Sequence, residues 1–272
     1  MFKFEKTKLF KPADVIVESH QKKDVKSILN KFKIQLKEDI TLQYHQSINP
    51  KIWMPDGSIK PDVKEHLLAI AYKWADFAAI DKEKIKDIIL TGGNANYNYT
   101  DLSDLDVHLI IDYKDIGSDT EFVKEFLKDK KDLWAEKHPD VRVMGYPVEL
   151  YAQDINEQPH YGQGVISLLH NEWIQKPEKM ESDPSKNPEI EVDSDELEMR
   201  INNVVKNDLG LDEAKSIWEE ISQLRKNIPT EGEFSEKNLV FKNLRNLGLL
   251  DLLSKYIRHQ EDLQLSLGSD EE

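Results

Sequence analysis

A chain of 272 residues is long enough to bury a full core, and its lack of cysteine excludes disulfides, thiolate metal sites and cysteine nucleophiles. The formal charge of -15 is uneven: residues 1–86 carry 17 Lys against 12 acidic residues, and the other 186 carry 20 basic against 40 acidic ones. This balance lacks the basic stripe of a processive polymerase, no apolar run nears the roughly 20 residues of a membrane span, and the start Met1-Phe2-Lys3-Phe4 is unlike a signal peptide, so a cytoplasmic protein is expected, with no membrane partner.

Along the chain, Val25, Ile28, Leu29, Phe32 and Ile34 recur near helical spacing and predict a helix over 21–37, with a short extended piece over 40–44. Residues 49–57 carry the turn signals Pro50, Pro55 and Asp56-Gly57 and read as an ordered loop. Trp53 is expected to anchor that loop to the core, with base stacking as the alternative. Pro61 opens a helix to about Ala79, with Val63, Leu67, Leu68, Ala71, Trp74 and Phe77 as its apolar stripe.

Lys86 to Thr91 reads as a strand running into Gly92-Gly93, followed by a polar Asn/Tyr loop to Ser103 and a second strand over 104–112. Side chains two apart on a strand share a face, so Asp104, Asp106 and His108 point one way while Leu105, Val107 and Leu109 point into the core. Two carboxylates side by side repel unless a cation lies between them, and oxygen ligands of this kind suit Mg²⁺ (or Mn²⁺). Backbone without a Cβ at Gly92 and Gly93 can approach a phosphate closely. These are the parts of a nucleoside triphosphate (NTP) site.

Asp119-Thr120 precedes another amphipathic helix, whose Lys124, Lys128, Lys130 and Lys131 read as a solvated face. Val141 to Met144 and Val148 to Tyr151 form either one kinked strand or a hairpin around Gly145, and Val165 to Leu169 with Trp173 to Gln175 predict a further hairpin. Composition then turns to Pro, Ser, Asp and Glu over 176–198, the mark of a linker or long surface loop. Helices are expected over 197–226 and 236–258, separated by Ile228-Pro229-Thr230-Glu231-Gly232, before an acidic, disordered end.

A strand, Gly92-Gly93 and then Asp104-Leu105-Asp106 on the next strand resemble the nucleotidyltransferase superfamily of DNA polymerase beta. That family expects a third carboxylate on a later strand, which Val148-Glu149-Leu150 supplies. One departure is Gly93, where the family often has a serine hydroxyl on the triphosphate; backbone N–H groups and Asn94 remain for that contact. More loosely, the whole chain resembles uncharacterised nucleotidyltransferases encoded by large tailed bacteriophages. That likeness rests on Ile48 to Trp53 leading to Lys60-Pro61-Asp62-Val63, Asn94 to His108, Ser167 to Ile174 and Asn238 to Arg245.

The resemblance implies an α/β (α+β) fold: a small mixed sheet with flanking helices and a C-terminal helical domain. The expected divisions are an N-terminal helical and loop segment (1–60), a nucleotidyltransferase core (61–178), an acidic linker (179–196), a helical domain (197–262) and an acidic tail (263–272). It also implies that Asp104, Asp106 and Glu149 hold Mg²⁺ ions and carry the chemistry. Gly92, Gly93, Asn94, Ser103 and His108 would bind the nucleotide. Tyr97 and Tyr99 would pack on ribose or base or cap the core, Asn171 and Trp173 would line a base site, and Arg200, Lys206, Lys215, Lys242 and Arg245 are candidates for the phosphate clamp.

The implied reaction transfers a nucleoside monophosphate from an NTP to a hydroxyl, with an RNA or tRNA 3′ end as the first acceptor and with protein nucleotidylylation, a small molecule or second-messenger synthesis as alternatives. A glycosyltransferase also holds a metal with Asp-x-Asp, but the upstream Gly-Gly turn argues against one. The non-enzymatic alternative is a nucleotide-binding interaction module that keeps the fold without turnover.

Overall fold

The computed structural model describes residues 42–159, 161–226 and 232–267. Two compact units emerge among them: a sheet unit of residues 42–187, 226 and 232–239, and a helical unit of residues 188–225 and 240–267. The helix expected over 21–37, most of the expected 228–232 connection and the end of the acidic tail lie outside the described residues.

In the sheet unit, helix α1 (Pro61–Phe77) starts on the proline at its first position and buries Val63, Leu67, Ala71, Trp74 and Ala75. Strand β1 (Ile85–Thr91) pairs antiparallel with β2 (Leu105–Ile111), whose residues alternate buried and half-buried along its whole length. The short helix α2 (Tyr113–Ile116) and the long α3 (Thr120–Lys137) follow, with the Asp119 side chain accepting from the Phe122 N–H at 3.1 Å to cap α3. The remaining strands are β3 (Arg142–Val143), β4 (Tyr146–Asp154), β5 (Val165–Ser167) and β6 (Glu172–Gln175).

The six strands form one mixed sheet in the order β3-β4-β2-β1-β5-β6, with β2 and β4 parallel and the other neighbours antiparallel. The mixed α/β class expected from the sequence is the one observed. Between the two readings left open for 141–151, the structure has the hairpin: Met144 and Gly145 both take positive φ, the geometry of a tight two-residue turn, and Val143 pairs with Tyr146. The β5–β6 hairpin adds two strands beyond β1.

The helical unit contains α4 (Pro188–Lys206), α5 (Leu211–Leu224) and α7 (Leu249–Leu265); the division between the units falls inside α6 (Glu236–Leu247). Ile201, Val204, Ala214, Ile217, Ile221, Leu249 and Leu253 are buried there. Each of the two long helices expected from the sequence is broken. The first ends at Lys206 because Asp208 and Gly210 take positive φ, and the Tyr256 hydroxyl fixes that corner by donating to Asp208 Oδ1 at 2.7 Å and accepting from the Gly210 N–H at 3.1 Å. The second breaks at Gly248, which is left-handed with φ 83°.

The stretch read as linker or surface loop is also shorter than expected. Helix α4 begins at Pro188, since proline suits a first turn, Glu189 and Glu191 favour its N-terminal dipole, and Ile190, Leu197, Ile201 and Val204 give it an apolar side. No helix among the described residues is long and apolar enough to cross a membrane.

Candidate active site

Strand pairing assembles the carboxylates. In the β2/β4 parallel register Asp106 lies opposite Glu149, and on its other side Asp106 faces Thr91 of β1. Asp104 is two residues before Asp106 and shares its face. One carboxylate oxygen from each of Asp104, Asp106 and Glu149 lies within 4.8 Å of the other two, and all three residues are half-buried. Three hard oxygen donors at this separation fit a divalent cation such as Mg²⁺ or Mn²⁺.

The glycine pair serves this cluster in an unexpected way. Gly92 has φ 78° and ψ -166°, a conformation open essentially to glycine alone, and a Cβ there would come within 1.6 Å of Asp106 Oδ2. Gly92 therefore makes room for a carboxylate of the cluster. Gly93 begins a single 3-10 turn, and a Cβ there would meet Ser103 Oγ at 3.1 Å. The Ser103 hydroxyl lies beside the position a serine at 93 would fill, is buried, and accepts from the Thr100 N–H at 2.9 Å.

Asn94 does not have the side chain free for a phosphate. It is fully buried, donates to the Asp104 carbonyl at 2.7 Å and accepts from Asn49 Nδ2 at 2.6 Å, while its own carbonyl accepts from Trp53 Nε1 at 2.7 Å. The Asn94 side chain is therefore a strut that ties the glycine turn to the strand that carries the acids. This also settles Trp53, which is buried and anchors the 49–57 loop, stacked on Trp173 with centroids 4.7 Å apart. Trp173 donates to the Gly57 carbonyl at 3.1 Å, and Asn171 occupies the β5–β6 turn with φ 59°.

Two residues without a sequence signal complete the turn. Asn96 donates to the Gly92 carbonyl at 2.7 Å and accepts from the Gly164 N–H at 2.8 Å. Gly164 must lack a Cβ, because one would lie 2.1 Å from the Ala95 carbonyl oxygen.

His108 shares the acidic face, two residues beyond Asp106, with Nδ1 2.8 Å from Gln153 Oε1 and its ring edge-on to Tyr151. Burial foremost, then the Glu157 charge, pushes the Tyr151 phenol up, with Lys124 and Lys131 opposing. Tyr99 stacks on His45 with centroids 3.9 Å apart, and Tyr97 packs beside Tyr44 at 6.1 Å, so both tyrosines are engaged with the chain before the loop. Of the clamp candidates, Arg200 makes a two-pronged ion pair with Glu220 and Lys215 one with Glu261, both inside the helical unit.

Among the described residues, Lys131 of α3 brings a cation to the carboxylates: its Nζ touches Glu149 Oε1 and lies 5.9 Å from the centre of the Tyr151 ring. Sequence spacing assigned Lys131 to a solvated face. Its partner is reached through the α3–β4 packing, for which the helix pattern alone has no sign.

No family model and no curated protein matches the chain. Among solved structures, a STING-associated CdnE c-di-GMP synthase from Capnocytophaga granulosa is similar over 77% of this chain and 84% of that one, at 13% identity and a TM-score of 0.19, a likeness too slight to decide fold or function.

Proposed function

We propose that the protein is a nucleotidyltransferase: it moves a nucleoside monophosphate from an NTP to a hydroxyl acceptor and releases pyrophosphate. The observation that carries this reading is the convergence onto one point of Asp104, just before β2, Asp106 on β2 and Glu149 on the parallel β4, after a glycine turn that leaves space for one of them.

The acceptor oxygen attacks the α-phosphorus, the bond from that phosphorus to the bridging β-phosphate oxygen breaks, and the hydroxyl proton passes to the carboxylate side of the site. Asp104 and Asp106 would hold the cation, and Glu149 would complete its ligand set. A bound Mg²⁺ would neutralise triphosphate charge and lower the pKa of the attacking hydroxyl. The Ala95 N–H is committed to the Gly92 carbonyl at 3.1 Å, so the backbone N–H groups of Gly93 and Asn94 would meet the triphosphate, Ser103 would take the hydroxyl role absent at Gly93, and His108 borders the acidic face.

The acceptor expected first from the sequence is an RNA 3′ end; a second nucleotide, as in second-messenger synthesis, is the alternative. The deciding experiment incubates each α-labelled ribonucleoside triphosphate with the protein and Mg²⁺ or Mn²⁺, alone, with total RNA and with protein. Label is expected in one of these fractions, with pyrophosphate released, and neither is expected with Asp104→Ala/Asp106→Ala, whose circular dichroism should match the parent. A fully active double variant would refute the reading. Release of nucleoside diphosphate from an added sugar nucleotide would favour a glycosyltransferase, and nucleotide binding without consumption a binding module.

A further inference from the structure

Helix α3 sorts its charges by side. Lys124, Lys128 and Lys131 recur at helical spacing on one side, while Glu125, Asp129, Asp132 and Glu136 occupy the next, away from buried Val123, Leu127 and Trp134. Helix α3 packs against β4, and its lysine side ends at the carboxylate cluster, where the Lys131 ammonium meets Glu149 Oε1. The Lys131 side chain is 26% exposed, so much of its stem is covered, and Glu149 is 43% exposed. Glu149 is also the cluster member supplied by β4, from which Asp104 and Asp106 are separated by a strand boundary.

An ammonium on a carboxylate oxygen occupies a position that a divalent cation needs, and the two positive charges repel at such a separation. Resting on the metal-site reading above, we propose that Lys131 is an exchangeable counter-ion of this cluster: it pairs with Glu149 until a divalent cation displaces it, and so weakens the site for the free cation. Lysine suits the task because its ammonium is a compact charge on a flexible stem, able to swing away without disturbing the strand. The nearby Tyr151 ring offers the displaced ammonium an aromatic face. Lys131 is thus a positioning residue: it acts on the cation through Glu149.

Mn²⁺ binding to the full chain, followed by electron paramagnetic resonance without nucleotide, tests this. Lys131→Met is expected to bind Mn²⁺ on the order of tenfold more tightly than the parent, from removal of one neighbouring positive charge. Lys131→Arg, which keeps the charge, should stay near the parent, so a change caused by altered packing alone is distinguished from one caused by charge. In the background of Glu149→Gln, where the ammonium has lost its partner oxygen, the Lys131→Met gain should shrink; an undiminished gain would overturn a role exerted through Glu149. If Lys131→Met binds Mn²⁺ no more tightly than the parent while Asp104→Ala/Asp106→Ala abolishes binding, the counter-ion role is overturned and the carboxylate site stands. If no binding depends on Asp104 and Asp106, both fall together.

Discussion

The sheet unit and the helical unit are held together in different ways. Around β1 and β2, position depends on close backbone approaches and buried polar struts: Gly92 against Asp106, Gly164 against Ala95, and Asn94 between Asn49 and Asp104. In the helical unit, α5 packs on α4 and α7 through apolar stripes, and its ion pairs Arg200–Glu220 and Lys215–Glu261 lie at the surface. Stripe packing tolerates changes of volume, whereas a carboxylate 1.6 Å from a missing Cβ tolerates none. The difference places chemical precision in the sheet unit, and single substitutions should sort accordingly.

The largest effect is expected at Gly92. Gly92→Ala combines a positive-φ penalty with the collision against Asp106, so it should cost roughly 2–4 kcal/mol in urea unfolding and abolish Mn²⁺ binding. A stable, cation-binding variant would show that the turn moves freely and would erase the contrast between the units. Next comes Asn94→Ala, which leaves Asn49 Nδ2 and the Asp104 carbonyl without their buried partner; about 2 kcal/mol is expected, with weaker Mn²⁺ binding as Asp104 loosens. Loss of stability with undiminished cation affinity would uncouple strut from site.

The smallest effect belongs to the helical unit. Arg200 holds the Glu220 carboxyl below its ordinary value, chiefly by hydrogen bonding and then by charge, against some burial. A depressed carboxyl contributes stability above its ordinary pKa of 4.5 and loses it as the pH falls through the lower folded value. Both side chains are well exposed, so Glu220→Gln should cost only about 0.5 kcal/mol at neutral pH. Chemical unfolding of parent and variant should converge as the pH drops below 4.5. A much larger cost would indicate that the helical unit has its own stringent polar joint.

The same contrast explains what the sequence disclosed. The alternation of β2 was legible residue by residue because one of its faces is wholly buried, and the three carboxylates followed from spacing and family resemblance. The strut made by Asn94 was not legible because it depends on Asn49, which only the fold brings beside it. Lys131 was misread because helical periodicity assigns a side chain to a face and is silent about what packs beside that face. In the helical unit the stripes were visible but the breaks were not: apolar spacing continues through Leu209-Gly210-Leu211, and left-handed backbone at Asp208 and Gly248 turns the chain there.

The parallel pairing of β2 with β4 also bears on the order of folding. Adjacent antiparallel strands can meet through a short turn, but these two align only after the chain has run out through α2 and α3 and returned. Asp106 and Glu149 are therefore distant partners in an unfolded chain, and closing that loop costs entropy before any cation can be shared. A metal ion that needs all three carboxylates recognises the finished crossover alone. By mass action such an ion would act as a ligand of the native state, drawing the population toward the folded protein as its concentration rises.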